Sequence, residues 1–296
     1  MKNFFKIATI GLNSQDKPAD NLATIDAAVA SASKQGARLI VLPENACLMG
    51  NQRALVAQFD ALSQHYQRLA KTYDVHILAG TLPCPTDKDG RSPDNGKYYQ
   101  SSLLFDNQGN CLARYDKIHL FRAQVADGVG SYDEGRTFVA GNRLVVANCN
   151  IDGVAVGIGL MICFDVRFAV MAHRLRQLGA DILTVPAAFT YATGQAHWQT
   201  LLQARALDSQ CLVIGATQGG THRFSHKDKV HTRQTWGHAM VVDANGQVAA
   251  DAGQTKVGAA GFDIAYAIFD KNKQQQIREH MPLFACHRGN DVYQFG

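Results

Sequence analysis

Apolar and β-branched residues recur along the chain in short runs: FFKIATIGL, ARLIVLP, VHILAG, YQSSLLF, RLVVANC, VAVGIGLMIC, ADILTVP, CLVIGAT and GHAMVVD. Runs of this length predict strands, several of them buried on both faces. Between some of them lie stretches with helical spacing: Pro18 to Gln35 with Gly36 as its stop, Arg53 to Lys71, Phe168 to Leu178 with Gly179, and Ala196 to Ser209. Proline at a helix start and glycine just past its end match the needs of helix termini. FDNQGN, NCNIDG and VDANGQ set Asn, Asp or Gly between apolar runs and predict tight turns with positive φ, so the sheet is expected to be mixed. GARLIVLPEN and GADILTVPAA share a Gly-Ala, strand, proline pattern, which points to a quasi-repeated half. The whole is an α/β pattern in which helices must cover sheet faces. Two arrangements satisfy it: a four-layer αββα sandwich of two mixed sheets packed face to face with helices outside, and a doubly wound single sheet.

Composition narrows the class. A chain of 296 residues with 46% hydrophobic content buries a sizeable core. No linker interrupts it, so one domain over 1–296 is expected. The opening MKNFFKIATIGLN has a basic start, but Lys6 breaks the apolar stretch and no small-residue cleavage pattern follows, so it reads as a buried strand. No apolar run approaches the roughly 20 residues a bilayer requires, and no membrane partner is expected. Seven cysteines, an odd number without CxxC spacing, fit free thiols in a cytoplasmic protein. A formal charge of +4 without a basic helix gives no case for nucleic acid and hints at acidic small molecules.

Three positions carry candidate chemistry. Cys163 ends VAVGIGLMIC and precedes a helical stretch, a strand-to-helix junction of the kind that exposes nucleophiles. Helix-terminal N–H groups there would favour its thiolate, whereas a cysteine taken alone is more often a buried structural residue. Glu44 in LIVLPEN emerges at a strand end, where open α/β sheets build their sites. Apolar neighbours would raise its proton affinity into the range of a general base. Lys117 in ARYDKIHLF follows a hairpin strand, bracketed by apolar and aromatic residues. A base, a fixed positive charge and a soft nucleophile together suffice for acyl transfer through a thioester.

LPEN at Glu44, YDKIHLF at Lys117 and CFDVRF at Cys163 resemble, in order, the Glu, Lys and Cys motifs of the nitrilase, or carbon-nitrogen hydrolase, superfamily. The likeness runs from the first strand to MPLFACHRGNDVY. It implies the αββα sandwich, a homodimer or higher homo-oligomer, and chemistry without cofactor or metal; the tail of about 282–296 is expected to dock either at the dimer interface or on its own chain. A second family glutamate matches Glu134 in SYDEGRTFVAG, with Arg122 where aspartate often follows the lysine motif and Gly135 where serine is frequent. The resemblance implies that Glu44 takes the thiol proton, that Lys117 and the Phe164 N–H hold the oxyanion, that ammonia leaves, and that Glu134 helps position the hydrolytic water.

VPAAFTYATGQAHWQTLLQARALDSQ is similar to the branch that holds deaminated glutathione amidase and omega-amidase. That branch implies a small amide bearing a carboxylate, with Arg167 as its anion partner and Phe189 and Thr193 as pocket positions. A planar guanidinium suits a carboxylate, although a salt bridge from Arg167 to Asp165 is the plain structural alternative. Trp198, Leu201, Leu202 and Leu207 are expected in the core, and Arg205 in an internal ion pair. Thr221 to Gln234, with His222, His226 and His231, reads as a polar solvated loop without zinc spacing. A basic rim from Arg223 and Lys227 is a weaker reading. Eleven histidines leave a papain-like Cys-His enzyme as a rival, without its local signature. His119 and His197 are given no catalytic role. A catalytically silent ligand-binding homologue is the rival from another class.

Overall fold

The computed structural model describes residues 2–93, 96–125, 130–226, 229–254 and 261–288. β1 (Phe4–Leu12), α1 (Pro18–Lys34), β2 (Ala37–Val41), α2 (Phe59–Tyr73) and β3 (His76–Leu78) form two successive crossovers, and the three strands pair in parallel. α1 ends where expected, with Gly36 at φ 81° just beyond it. The stretch expected as one helix from Arg53 is instead a 3₁₀ segment, Gln52–Gln58, that leads into α2.

β4 (Leu82–Cys84), β5 (Tyr99–Phe105) and β6 (Cys111–Asp116) run antiparallel, and β7 (Arg122–Gln124) and β8 (Ser131–Asp133) make a separate two-stranded ribbon. The chain then builds a second set: the hairpin β9 (Val146–Ile151) and β10 (Val154–Leu160), then α3 (Ala169–Gln177), β11 (Ile182–Ala187), α4 (Tyr191–Ser209) and β12 (Leu212–His226). The hairpin turns at Asp152 and Gly153, both at positive φ, as NCNIDG predicts.

The main strand path is β4-β5-β3-β2-β1-β12-β11-β10-β9. Outward from its centre each half has three parallel strands and then an antiparallel one. β2 and β11, which carry the similar segments, take equivalent places in the two halves. β1 meets β12 only at Gly11 with Thr217 and Leu12 with Gln218. The result is an α/β fold with a curled mixed sheet and helices.

Side chains of the first half divide by alternation. Phe5, Ile7, Leu39, Val41, Leu78 and Leu104 join a core shared with β9 to β12. Ala8, Ile10, Leu12, Ile40 and Ile77 join another with Ile25 and Val29 of α1 and Leu62 and Tyr66 of α2. Burying each such Ile or Leu is worth about 1.5–3 kcal/mol. Trp198 and Leu202 are buried as expected, but Leu207 is exposed.

β13 (Lys229–Trp236) pairs with the far end of β12, and β14 (Met240–Val242), β15 (Val248–Asp251) and β16 (Phe262–Asp270) follow. β16 pairs with β1 along all nine residues. α5 (Lys271–His280) and α6 (Leu283–Cys286) close the described chain. The described residues between Thr221 and Gln234 are therefore paired strands of β12 and β13, not the solvated loop their polar letters predict. Their period of two places His222 inside, where His222 Nδ1 meets the Ser14 carbonyl at 2.7 Å and Nε2 meets Thr235 Oγ1 at 2.6 Å. Lys227 and residues 289–296 of the tail lie outside the described residues, as does the side chain of His226. No described helix is long and apolar enough to cross a membrane.

Candidate active site

Four polar side chains from separate elements converge. Glu44 lies three residues past β2, Lys117 directly follows β6, Cys163 lies three residues past β10, and Glu134 opens the 3₁₀ turn Glu134–Arg136 after β8. Glu44, Glu134 and Cys163 line a cavity of about 370 Å³, and Lys117 is buried behind them. Lys117 Nζ donates to Glu44 Oε1 and to Glu134 Oε1, each at 2.9 Å. Gln100 Nε2 donates to the same Glu44 oxygen at 2.9 Å, and the Phe121 N–H donates to Glu134 Oε2 at 2.7 Å. The surroundings of the Glu44 carboxylate are thus cationic and polar, not apolar as its sequence neighbours predict.

Charge balance follows from this geometry. Burial alone would lower the proton affinity of Lys117, but Glu134 and Glu44, then Cys163, outweigh it and hold the ammonium well above its ordinary pKa. Burial raises Glu134, against the pull of Lys117 and with the push of Glu44. The Cys163 thiol is driven far up by burial and then by Glu44, while Lys117 and the Ala188 N–H pull the other way. These influences run against the expected bias toward thiolate: burial and Glu44 favour the thiol form, from which attack needs a base.

Cys163 sits at φ 46°, a left-handed conformation that costs a non-glycine residue about 1–2 kcal/mol. It opens a five-residue 3₁₀ turn, Cys163–Arg167, and the α-helix starts only at Ala169. Asp165 fixes the turn. Its Oδ2 accepts from the Ile162 N–H at 2.8 Å and the Tyr115 hydroxyl at 2.7 Å, and its Oδ1 accepts from the His119 N–H at 3.0 Å. Asp165 is thereby committed elsewhere and forms no salt bridge with Arg167.

Arg167 also lines the cavity, with its guanidinium carbon 5.1 Å from the Phe189 ring centre and 5.9 Å from that of Phe164. Its Nη2 lies 3.3 Å from His197 Nδ1, and among the described residues no carboxylate pairs with it. Burial lowers its pKa, as it does for any cation without a counter-ion. Phe164, Phe189 and Thr193 all stand in the wall. No described histidine lines the cavity, which leaves a Cys-His pair without a partner for Cys163. His119 Nδ1 lies 2.8 Å from Asp165 instead. No described group of three or more His, Cys, Asp or Glu side chains is arranged to hold a metal.

The TGQAHW stretch has local physical causes. Thr190 caps α4 by accepting from the Thr193 N–H, which starts the helix at Tyr191, five residues before the spacing predicts. A Cβ on Gly194 would stand 2.2 Å from Trp236 Cβ, so only glycine allows this approach of α4 to β13. Trp198 Nε1 donates to the His238 carbonyl at 2.9 Å, and Arg205 pairs with Asp208 at 2.8 Å as expected.

Gln100, Tyr132 and Arg233 belong to the same wall without having been singled out in the sequence. Gln100 stands in an apolar strand with no motif around it. Arg233 was hidden by the loop reading of its segment, although alternation along Thr221 to Thr235 is a signal that finds it. Arg122 is exposed and outside the wall, and the Gly135 N–H turns back to Asp133 Oδ1 at 3.2 Å.

Comparison with known proteins agrees in extent. A deaminated glutathione amidase of Yersinia enterocolitica is 36% identical over 293 residues, covering 97% of this chain and 94% of that one. The human omega-amidase NIT2 is 30% identical over 295 residues, covering 98% and 96%. The crystal structure of the C. elegans NitFhit protein superposes with a TM-score of 0.80 at 29% identity, over 98% of this chain and 66% of that one. The carbon-nitrogen hydrolase family model matches residues 6–279, so the chain belongs to the carbon-nitrogen hydrolase family.

Proposed function

We propose that the protein hydrolyses a small amide bearing a carboxylate, through a thioester on Cys163, and that its substrate is deaminated glutathione. The observation that carries this is Arg167, a guanidinium in the wall of the cavity that holds Cys163, with no carboxylate of the described chain paired to it. Identity of 36% to the Yersinia enterocolitica amidase, against 30% to human omega-amidase, favours the same substrate.

In this reading Glu44 takes the thiol proton as sulfur attacks the amide carbonyl. Lys117 has three N–H donors. Two are directed at Glu44 and Glu134, and the third serves the oxyanion together with the Phe164 N–H. Glu44 returns its proton to the leaving nitrogen and then activates water, which Glu134 helps position. Phe189 and Thr193 shape the acyl pocket, and no cofactor or metal takes part. Ammonia leaves only from a primary amide such as α-ketoglutaramate. The scissile bond of deaminated glutathione joins the acyl group to cysteinylglycine, so that amine is its leaving group.

Side-by-side kcat/KM on deaminated glutathione and α-ketoglutaramate tests the assignment. Preference for the first by about tenfold or more supports it, and preference for the second makes the protein an omega-amidase. Arg167→Ala should lower kcat/KM for either acid by about 10²-fold, and an unchanged value would remove Arg167 from the site.

The frame proposed for this chemistry is one domain with αββα layering, supported by the split of alternate β1 and β2 residues between two cores and by the two-residue contact of β1 with β12. A homodimer is supported by exposed Val170, Leu178 and Met281 along α3 and beyond α5. A cytoplasmic location is supported by seven unpaired cysteines.

A further inference from the structure

The cavity holds a second guanidinium. Arg233 of β13 lines it, stacked with its carbon 5.3 Å from the Tyr132 ring centre and with Nη2 donating to the Ala188 carbonyl. Its Nε is buried without a hydrogen-bond partner, and among the described residues no carboxylate pairs with it. A buried donor left unpaired costs about 1–3 kcal/mol, so such a group marks a place where a ligand acceptor belongs. Backbone register explains its direction. Arg233 is opposite the buried His222, on the inward face of the hairpin, whereas Arg223 is opposite Thr232, one residue out of phase, and is exposed. The basic contribution of this hairpin is therefore Arg233 inside the cavity, not a rim built from Arg223.

The acids in the same wall make no ion pair with it. Glu44 and Glu134 are bound by Lys117, and Asp133 pairs with Arg136 at 3.5 Å. Arg233 is also tied to the wall of the reacting centre, since its fork is anchored on the carbonyl of Ala188, which lines the same cavity as Cys163. One cavity thus presents two guanidinium groups, Arg167 and Arg233, that pair with no described carboxylate.

We infer that Arg233, stacked on Tyr132, forms a second anion subsite that binds a carboxylate on the leaving-amine part of the substrate, while Arg167 binds the carboxylate of the acyl part. This rests on the thiol-amidase reading above and deepens it: the preferred substrate is an amide with a carboxylate at each end. Deaminated glutathione has that form, with one carboxylate beside the ketone and one on glycine. α-Ketoglutaramate lacks the second.

The test is a cycle of two deletions, one on each side of the contact. The affinity of Cys163→Ser for deaminated glutathione, and for the analogue whose glycine carboxylate is converted to a carboxamide, is measured by calorimetry with Arg233, with Arg233→Ala and with Arg233→Lys. With Arg233 present the carboxylate compound should bind about tenfold or more tightly than the carboxamide. In Arg233→Ala that ratio should fall to about one, and in Arg233→Lys it should be partly restored, because the charge remains and the fork is lost. A ratio that persists in Arg233→Ala overturns the subsite and leaves the amidase reading standing. Equal loss of both compounds in Arg233→Ala also overturns it, since that is the signature of a hairpin support. Failure of both compounds to bind any form, with no turnover by the Cys163 enzyme, overturns the two readings together.

Discussion

Two carboxylates share one buried ammonium, and this sets what each substitution does. Lys117→Met would leave Glu44 and Glu134 facing each other without a counter-charge. The expected loss of stability is about 3–5 kcal/mol, read by urea denaturation, and it should shrink when Glu134→Gln is added. Glu44→Gln separates two roles of one residue. Removing the proposed base should cut turnover by about 10³-fold or more, yet it also removes a negative charge that raises the Cys163 pKa. Alkylation of Cys163 by iodoacetamide should therefore titrate at lower pH in Glu44→Gln than in the native protein. A midpoint that is unmoved or raised would mean that Glu44 does not act on the thiol through its charge.

At the scale of elements, the β12–β13 hairpin carries both a cavity residue and a buried histidine. Burial lowers the His222 pKa to about 4, from an ordinary 6.5. A histidine kept neutral in the fold contributes its stability above pH 6.5. That contribution is lost as pH falls from 6.5 toward 4, because the unfolded chain takes up the proton first. The loss is about 3 kcal/mol over that window, and His222→Gln should flatten this part of the stability–pH curve. α4 offers a second test. Gly194→Ala would force a methyl group to within 2.2 Å of Trp236 Cβ, which should cost about 1–3 kcal/mol and raise KM through displacement of Thr193. The most legible elements were those whose apolar letters coincide with their burial: β1, β5 and α1 have the expected extents to within a residue. The hairpin was illegible because His222, Arg233 and Thr235 are polar letters on its inward face, so a count of hydrophobic positions misses the period of two. α4 started early for a similar reason, since a threonine cap and a glycine in close contact look like a loop in sequence.

At the scale of the whole molecule, strand ends from both halves of the sheet meet at one cavity, with Glu44 beyond β2 and Cys163 beyond β10. The place of these residues was readable from their motifs, because a carboxylate and a thiol at strand ends are local features. Their electrostatics were not. The pairing of Glu44 with Lys117 spans 73 positions, and that of Asp165 with Tyr115 spans 50, so the partners that set each charge are fixed by the fold alone. Arg167 could be named from the resemblance of its segment to the amidase branch, whereas Arg233 required the hairpin register. The most direct test of a Cys163 thioester is intact-protein mass spectrometry during turnover of deaminated glutathione, followed by peptide mapping. The acyl mass should appear on Cys163, accumulate further in Glu134→Gln, and vanish together with amine release in Cys163→Ala. Undiminished amine release by Cys163→Ala, or an acyl mass on any other residue, would contradict the mechanism.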